Sequence, residues 1–519
     1  MLPAKWQTHG MARPLRFEVE NGWHHVKARG NERRDIFRDD DDRCGGRESE
    51  FLAVICAVLC LVVWAPDRSA AAEAKRMSAD ECKAAIEKLK ADGKIAKYTL
   101  NPGEKGVLKL DLSYSGIVDL TPLRGMPLEW LHINGSDQMP SKVATLAGLE
   151  GVPLKELSLR GNVALEDISA IKGAPLKVFK ISGTHFGQPK VKDLSPLAGM
   201  KLEEVSLVCD SKDVNVLKGM PLKSAYLAGA VTDISGIQGA QLKSLSLHGA
   251  AKLVDLSPLK GMPLESIDLF GVPADSVSAL SGMPLKHLDV PQAVSDLSPL
   301  KDMPALESLN LAGSKVSDLS PLKGLKKLKT LSLTDYRPSP ISDLKSLAGL
   351  PIESLNLSNT KVTDLGPVKE LPNLKSLSLQ GLPISNIGAL QGSKLSSLNL
   401  GATKVTDLSA LKGVPLTELQ IFKTQVKDLA PLAGAPLKTL IAFECPNLKD
   451  LKPLDECKEL EGVVLPANYG EIEFLRKMPK LKFLTAAPRS ETWWLQQQGA
   501  AAFWSMNPQK KSQPTGGLK

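Results

Sequence analysis

Apolar and polar positions follow one another along most of this chain in a single pattern that is repeated many times. Three copies read LVDLSPLKGMPLESIDL at residues 253–269, SDLSPLKDMPALESLNL at 295–311 and SDLSPLKGLKKLKTLSL at 317–333. In PLESIDLFG (263–271), Leu264, Ile267 and Leu269 are apolar and the residues between them are mainly polar. This spacing predicts a short strand over 265–270 whose apolar side chains face a core.

Each copy also carries an acidic or amide residue ahead of a second apolar cluster. The successive positions are Asp193, Asp213, Asp233, Asp255, Asp275, Asp296, Asp318, Asp343, Asp364, Asn386, Asp407, Asp428 and Asp450. The steps are mostly 20 to 22 residues, with one of 25 where residues 336–340 are inserted. After Asp255, Ser257 is a suitable N-cap and Pro258 suits a first helical position, so a single 3₁₀-like turn is expected. One carboxylate per copy cannot supply the roughly six to eight oxygens that calcium takes, so we expect the Asp column to cap turns.

A fixed period of this length with leucines at set offsets predicts a leucine-rich repeat solenoid of the α/β class. Its parallel strands should form one curved sheet on the concave side, with short 3₁₀ turns on the convex side. We place the repeats at 101–465, a helical amino-terminal cap at 75–100, a carboxy-terminal cap at 466–506 and a disordered tail at 507–519. Ser78 and Glu81 form a capping box that should open the first cap.

The pattern L-x-L-x-x-x-x-V-x-D-L-S-P-L resembles the bacterial internalin-type leucine-rich repeats, whose layers carry D-I-S-P-L. The resemblance covers roughly residues 107–485 and implies a recognition scaffold without catalytic activity. One position departs from it, since those repeats place an Asn after the strand that builds a buried amide ladder. Here this position holds Thr184, Ala230, Ala250, Ser314, Thr360, Thr403 or Thr424.

An apolar run, FLAVICAVLCLVVW at 51–64, is followed by the small residues SAAAEA at 69–74. Arg43 and Arg47 precede it, which completes the arrangement of a secretory signal peptide at 48–74, cleaved after Ala72 or Ala74. Fourteen apolar residues are too few for a stable membrane span. We expect an exported chain in the periplasm, at the cell surface or secreted; the alternative is membrane anchoring by an uncleaved signal at 51–64.

Residues 11–42 (MARPLRFEVENGWHHVKARGNERRDIFRDDDD) resemble the amino-terminal end of REP-associated tyrosine transposases. That resemblance implies a His-hydrophobic-His metal pair and a nucleophilic Tyr. Here His24 and His25 are adjacent, and the first Tyr is Tyr98, beyond the signal. We interpret 1–47 as a non-functional remnant; the alternative is DNA binding through this fragment.

The composition and motifs of the chain indicate neither catalytic activity nor nucleic-acid binding. The net charge is +8, but the lysines are dispersed over the repeats instead of forming the patch that a nucleic acid would need. No nucleophile elbow, P-loop or metal-ligand spacing is present. We therefore expect no catalytic residue, cofactor or metal, and no nucleic-acid partner for the mature chain. A disulfide between Cys445 and Cys457 is conceivable if a solenoid turn brings their Cα atoms within about 7 Å.

Most outward strand positions are Ser or Asn, and one stretch departs from this. It consists of Tyr226, His248, Asp268, Phe270, His287 and Asp289, on four consecutive predicted strands. Aromatic side chains beside polar groups are typical of binding hot spots, although single exposed apolar residues are also common on inert surfaces. The leading hypothesis is a non-enzymatic scaffold that binds a protein or polysaccharide here; a structural envelope protein without a specific ligand is the alternative.

Overall fold

The computed structural model describes residues 77–103, 106–334, 339–486, 500 and 503, together with the backbone of four strands among the first 35 residues. The chain divides into two compact units, Met1–Lys75 and Arg76–Lys519. In the first unit, strands β1 (Lys5–Thr8) and β4 (Glu32–Asp35) pair antiparallel, as do β2 (Arg16–Glu20) and β3 (Trp23–Lys27). The predicted signal segment 48–74, the aromatic residues Trp493, Trp494 and Trp504, and the tail 507–519 lie outside the described residues.

The second unit begins with helix α1 (Ala79–Ala91), and the predicted capping box is present. Glu81 N–H donates to Ser78 Oγ at 3.2 Å, and Ser78 N–H donates to Glu81 Oε2 at 2.7 Å. The apolar face of α1 buries Cys82, Ile86 and Leu89 in the same core as the first repeats. The helix therefore covers the end of the solenoid that would otherwise expose leucines to water.

Short strands follow at the repeat period. They are β5 (Thr99–Pro102), β6 (Leu108–Asp111), β7 (Leu128–His132), β8 (Glu156–Leu159), β9 (Val178–Ile181), β10 (Glu204–Cys209), β11 (Ser224–Gly229), β12 (Ser244–Ser246), β13 (Ser266–Asp268), β14 (His287–Asp289), β15 (Ser308–Asn310), β16 (Thr330–Ser332), β17 (Ser354–Asn356), β18 (Ser376–Ser378), β19 (Ser397–Asn399), β20 (Glu418–Gln420), β21 (Thr439–Ile441), β22 (Gly462–Leu465) and β23 (Phe483–Ala486).

Each strand from β6 onward pairs in parallel with the next one along the chain, while β5 pairs antiparallel with β6. Within the described part β23 does not return to β5, so the sheet is open. The inward strand residues, such as Ile267 and Leu288, lie opposite one another in the register and are buried. Each such side chain contributes about 1.5–3 kcal/mol on burial, so the stacking of neighbouring coils stabilises the whole array.

The return path of each described coil contains one 3₁₀ turn, as the sequence predicts, except in the coil between β7 and β8. These turns are Thr121–Leu123, Ser169–Ile171, Ser195–Leu197, Asn215–Leu217, Ser235–Ile237, Ser257–Leu259, Ser278–Leu280, Ser298–Asp302, Ser320–Gly324, Lys345–Leu347, Gly366–Glu370, Gly388–Leu390, Ser409–Leu411, Ala430–Leu432, Lys452–Glu456 and Glu473–Lys477. The strands on one side and the 3₁₀ turns on the other confirm the predicted solenoid. At its far end, Ala500 N–H donates to Lys482 O at 2.8 Å and Phe503 is buried.

The residues of the Asp column cap these turns, except that Ser276 replaces Asp275 and accepts the Ser278 N–H at 3.2 Å. The predicted role of Ser257 as the cap is wrong. Asp255 Oδ1 accepts the Ser257 N–H at 2.8 Å, and Asp255 Oδ2 accepts the Ser257 hydroxyl at 2.9 Å. Ser257 is thus the first residue of its turn instead of the cap, because its own N–H needs an acceptor and the Asp two residues earlier supplies it. The same contact recurs at Asp193, Asp296, Asp318 and Asp407.

The residues at the position after the strand do not form a continuous ladder of buried amides. Asn162 is buried there and donates from Nδ2 to Val143 O of the preceding coil at 2.9 Å. Thr403 and Thr424 instead donate to carbonyls three residues earlier in their own coil, at 2.7 and 2.6 Å. The buried hydroxyls of Ser314 and Thr360 have no hydrogen-bond partner among the described residues. Adjacent coils are consequently joined mainly by the sheet and the leucine core.

Candidate ligand-binding surface

The parallel register aligns three of the predicted site residues in one row across the sheet. Tyr226 lies opposite Ser246, Ser246 opposite Asp268, and Asp268 opposite Asp289. Because side chains on alternate positions of a strand share a face, this row points away from the leucine core. The row is half-buried, so its side chains contact one another while remaining accessible to a partner.

The remaining three predicted residues lie beside this row. His248 and Phe270 each follow their strand by two residues, and their rings stack with centroids 5.3 Å apart. His287 begins β14, two residues before Asp289. We call these six residues the patch: Tyr226, His248, Asp268, Phe270, His287 and Asp289.

Hydrogen bonds join four residues of the patch into a network. His248 Nδ1 lies 3.1 Å from Asp268 Oδ2, and Phe270 N–H donates to Asp268 Oδ1 at 2.9 Å. The Tyr226 hydroxyl donates to the His248 carbonyl at 3.4 Å. Asp268 is therefore the organising group, since it orients both the imidazole and the loop that carries the phenyl ring.

Burial and a neighbouring carboxylate raise the pKa values of two residues in the patch, Asp289 and Tyr226. Burial is the largest cause that raises the pKa of Asp289, and the Asp268 carboxylate adds to it; a hydrogen bond from Asn310 acts in the opposite direction. Burial also raises the pKa of Tyr226, again with a contribution from Asp268. Within the described part, neither Asp268 nor Asp289 forms an ion pair with a Lys or Arg. The patch thus presents carboxylates without a fixed cation.

A groove that the sequence analysis did not anticipate adjoins the patch. Two coils are longer than the rest: 26 residues separate Leu131 from Leu157, and 26 separate Phe179 from Val205. Their extra residues form loops at 134–142 and 182–190. The loops meet across the intervening coil, where His185 N–H donates to Asp137 Oδ1 at 2.8 Å and His185 Nδ1 lies 2.6 Å from Asp137 Oδ2.

The second loop presents an aromatic side chain to solvent. Thr184 N–H donates to Gly187 O at 2.8 Å, which closes a tight turn with Phe186 at its tip. Phe186 is 86% exposed, so its ring is accessible to a partner. The turn is anchored from below by Gln188, whose Nε2 donates to Asp210 Oδ1 at 2.7 Å.

Together the loops wall an open groove of about 780 Å³. We call it the rim groove; its principal side chains are Asp137, Arg160, His185, Phe186, Gln188 and Tyr226. Tyr226 belongs to both the rim groove and the patch, so the two form one surface. The only sequence signals for the groove were the lengthened coils and the loss of the repeat pattern in NGSDQMP and GTHFGQPK.

Several lysines are paired with glutamates of neighbouring coils at the edge of the sheet. Lys177 and Lys223 both bind Glu203 and lower its pKa to about 2. Lys243 and Lys286 bind Glu265 in the same way.

The two cysteines of the possible disulfide are separate, buried thiols in the structure. Cys445 Sγ donates to Ile421 O at 2.9 Å, whereas Cys457 Sγ donates to Leu432 O at 3.3 Å. Burial is the largest cause that raises the pKa of both thiols. The structure therefore does not bring this pair together.

Comparisons with known proteins agree with the architecture. Residues 304–346 match the family model for Leucine Rich repeats (2 copies). An internalin (inlF) from Listeria monocytogenes is similar at 22% identity and a TM-score of 0.41, over 65% of this chain and 87% of that one. A leucine-rich repeat protein of Leptospira interrogans is similar at 18% identity and a TM-score of 0.42, over 79% and 96% of the two chains.

A second Listeria monocytogenes protein, internalin C2 (inlC2), shares 25% identity with a TM-score of 0.29, over 37% of this chain and 76% of that one. No curated protein matches the sequence. The chain carries leucine-rich repeats, a scaffold that typically binds proteins. Among the residues that the structure describes, no helix has the length and apolar character to cross a bilayer.

Proposed function

We propose that this chain is an exported, non-enzymatic recognition scaffold that binds a protein through the patch on β11–β14. The observation that carries the proposal is the network centred on Asp268. It holds Tyr226, His248 and Phe270 together on a face whose other outward positions are mainly Ser and Asn. Aromatic side chains held rigidly beside polar groups provide contact area at low entropic cost, which is typical of binding hot spots.

Export is supported by the apolar run and small residues at 51–74. Mass spectrometry of the native amino terminus tests it, together with the cell fraction that contains the protein. We expect the mature chain to begin after Ala72 or Ala74. A mature chain that retains residues 11–42 contradicts export by this signal.

The binding proposal is tested with the immobilised full chain and detergent-solubilised cell-surface material, with captured components identified by mass spectrometry. The double variant Tyr226→Ala, Phe270→Ala should lose capture while it keeps the wild-type circular dichroism spectrum. The matched control is Phe422→Ala, Phe443→Ala, because these rings also stack beside the sheet, with centroids 4.8 Å apart.

The control variant should retain capture. Equal capture by the patch variant and the wild type contradicts the proposal, as does loss of capture in the control alone. Treating the cell-surface material with protease should abolish the signal. If periodate abolishes it and protease does not, the ligand is a glycan and the protein-binding proposal is wrong.

A further inference from the structure

The rim groove and the patch meet at Tyr226, and the charges at the two ends of this combined surface are opposite. At the groove end, Arg160 is exposed and its guanidinium forms no ion pair within the described part of the chain. The carboxylate nearest in the groove, Asp137, is already bound by His185 through two contacts. Arg160 is thus a cation available to a ligand.

At the patch end the fixed charge is negative. Asp268 and Asp289 lie side by side on β13 and β14, and their nearest ring partners are histidines. The neighbouring lysines do not neutralise them, because Lys243 and Lys286 both bind Glu265 at the edge of the sheet. Within the described part, neither carboxylate is paired with a lysine or an arginine, so a basic side chain of a partner can bind between them.

Apolar side chains lie between these ends, beside polar groups that include the Lys180–Glu204 ion pair. Val208 and Phe186 line the groove next to Tyr226, and Phe270 lies on the other side of Tyr226 under the His248 ring. Water is held weakly over such a stretch, so an apolar partner side chain gains free energy there. The order along the surface is cation, apolar stretch, then paired carboxylates.

The spacing of the strands gives the distance between Arg160 and Asp268. Arg160 directly follows β8 and Asp268 ends β13, which is five strand steps, or about 24 Å at about 4.8 Å per step. An extended chain rises about 3.3 Å per residue, so about seven residues span that distance.

We propose that the partner presents an extended segment that crosses β8–β14, with a carboxylate at Arg160, apolar residues over Val208 and Tyr226, and a basic side chain about seven residues away at Asp268 and Asp289. This inference rests on the proposed protein-binding function and adds the chemistry of the segment. Charge-assisted hydrogen bonds at both ends would fix its direction and register.

The test uses a random 12-residue peptide library displayed on phage and selected on the immobilised full chain. Enriched peptides should carry one acidic and one basic residue about six to eight positions apart, with apolar residues between them. Selection on the Arg160→Glu variant should remove the preference for the acidic residue. Selection on the isosteric Asp268→Asn, Asp289→Asn variant should remove the preference for the basic residue.

The matched control is Lys404→Glu, which reverses an exposed charge on another coil. A synthetic peptide of the enriched sequence should bind Arg160→Glu at least about tenfold more weakly than wild type, as expected for loss of a charge-assisted contact, and Lys404→Glu normally. Enriched peptides that need Tyr226 and Phe270 but lack the charge pattern would overturn this inference and leave the proposed function intact. Peptides indifferent to both the patch and Arg160 would contradict both proposals.

Discussion

Replacing Gly161 by Ala should open the rim groove, because this glycine lies where the coil passes beneath the loop at 134–142. Its φ is +68°, and an added Cβ would lie 2.5 Å from the Gly135 carbonyl oxygen and 2.6 Å from the carbonyl carbon. Both are backbone atoms, which cannot rotate away. Gly261 is a matched control, since its φ is +75° and an added Cβ would meet nothing within 4 Å.

Both substitutions place an L-residue in the left-handed region, which costs about 1–2 kcal/mol of folding free energy. Only Gly161→Ala adds a steric overlap, and overpacking of this kind costs about 1–3 kcal/mol more. We therefore expect a loss of about 2–5 kcal/mol for Gly161→Ala and about 1–2 kcal/mol for Gly261→Ala. Urea denaturation of the full chain at neutral pH measures the difference between the two variants.

Hydrogen exchange of individual backbone amides identifies the part of the structure that Gly161→Ala destabilises. The Ser141 N–H donates to Gly161 O at 3.0 Å, and the Gly135 N–H donates to Arg160 O at 2.7 Å. Both amides should exchange faster in Gly161→Ala and at the wild-type rate in Gly261→Ala, because coils of a solenoid depend on their nearest neighbours. Equal stability losses in the two variants, or unchanged exchange at these amides, would refute the steric explanation.

Two further predictions concern the caps and the charged edge of the sheet. Asp255→Ala removes the acceptor of the Ser257 N–H and should lower the free energy of unfolding by about 0.5–2 kcal/mol in urea denaturation; an unchanged midpoint would contradict the capping role. Lys177 and Lys223 hold the pKa of Glu203 at about 2 instead of 4.5, so its stabilisation is present above pH 4.5 and disappears as the pH falls towards 2. Glu203→Gln should flatten that part of the curve of thermal midpoint against pH, and a variant that keeps the full acid-induced loss would show that other groups cause it.

The repeated part of the fold was predictable because each coil has the same energetic requirement. Leu264, Ile267 and Leu269 can leave water only by packing on the same positions of the adjacent coil, so their spacing determines strand, turn and stacking together. The row of Tyr226, Asp268 and Asp289 followed from the same register, since outward positions of parallel strands align. Their contacts with His248 and Phe270 depend on side-chain rotamers, which the repeat pattern does not specify.

Two details of each coil, the start of its 3₁₀ turn and the hydrogen bonds after its strand, depend on local backbone geometry. The repeat pattern does not specify this geometry. The residue pair Ser257–Pro258 favours a helical start, but propensity alone did not show that the turn begins one residue earlier, with Asp255 as its acceptor. At the position after the strand, hydroxyl groups can bond within their own coil or to the next one. The structure shows Thr403 bonding within its own coil, and the repeat pattern does not specify which of the two partners is chosen.

The rim groove was missed because it is built from departures from the pattern. The repeat pattern consists of the positions that all coils share. The loops that carry Asp137 and His185 do not match this pattern, so it gives no information about them. Their contact joins residues 48 positions apart, skips one complete coil, and has no counterpart among the other repeats that the structure describes. Lengthened coils add no leucine to the core, so the energy of stacking does not explain why they are present. The exposed Phe186 at the tip of one such loop is consistent with the proposed binding function, since covering its ring with a partner would remove apolar surface from water.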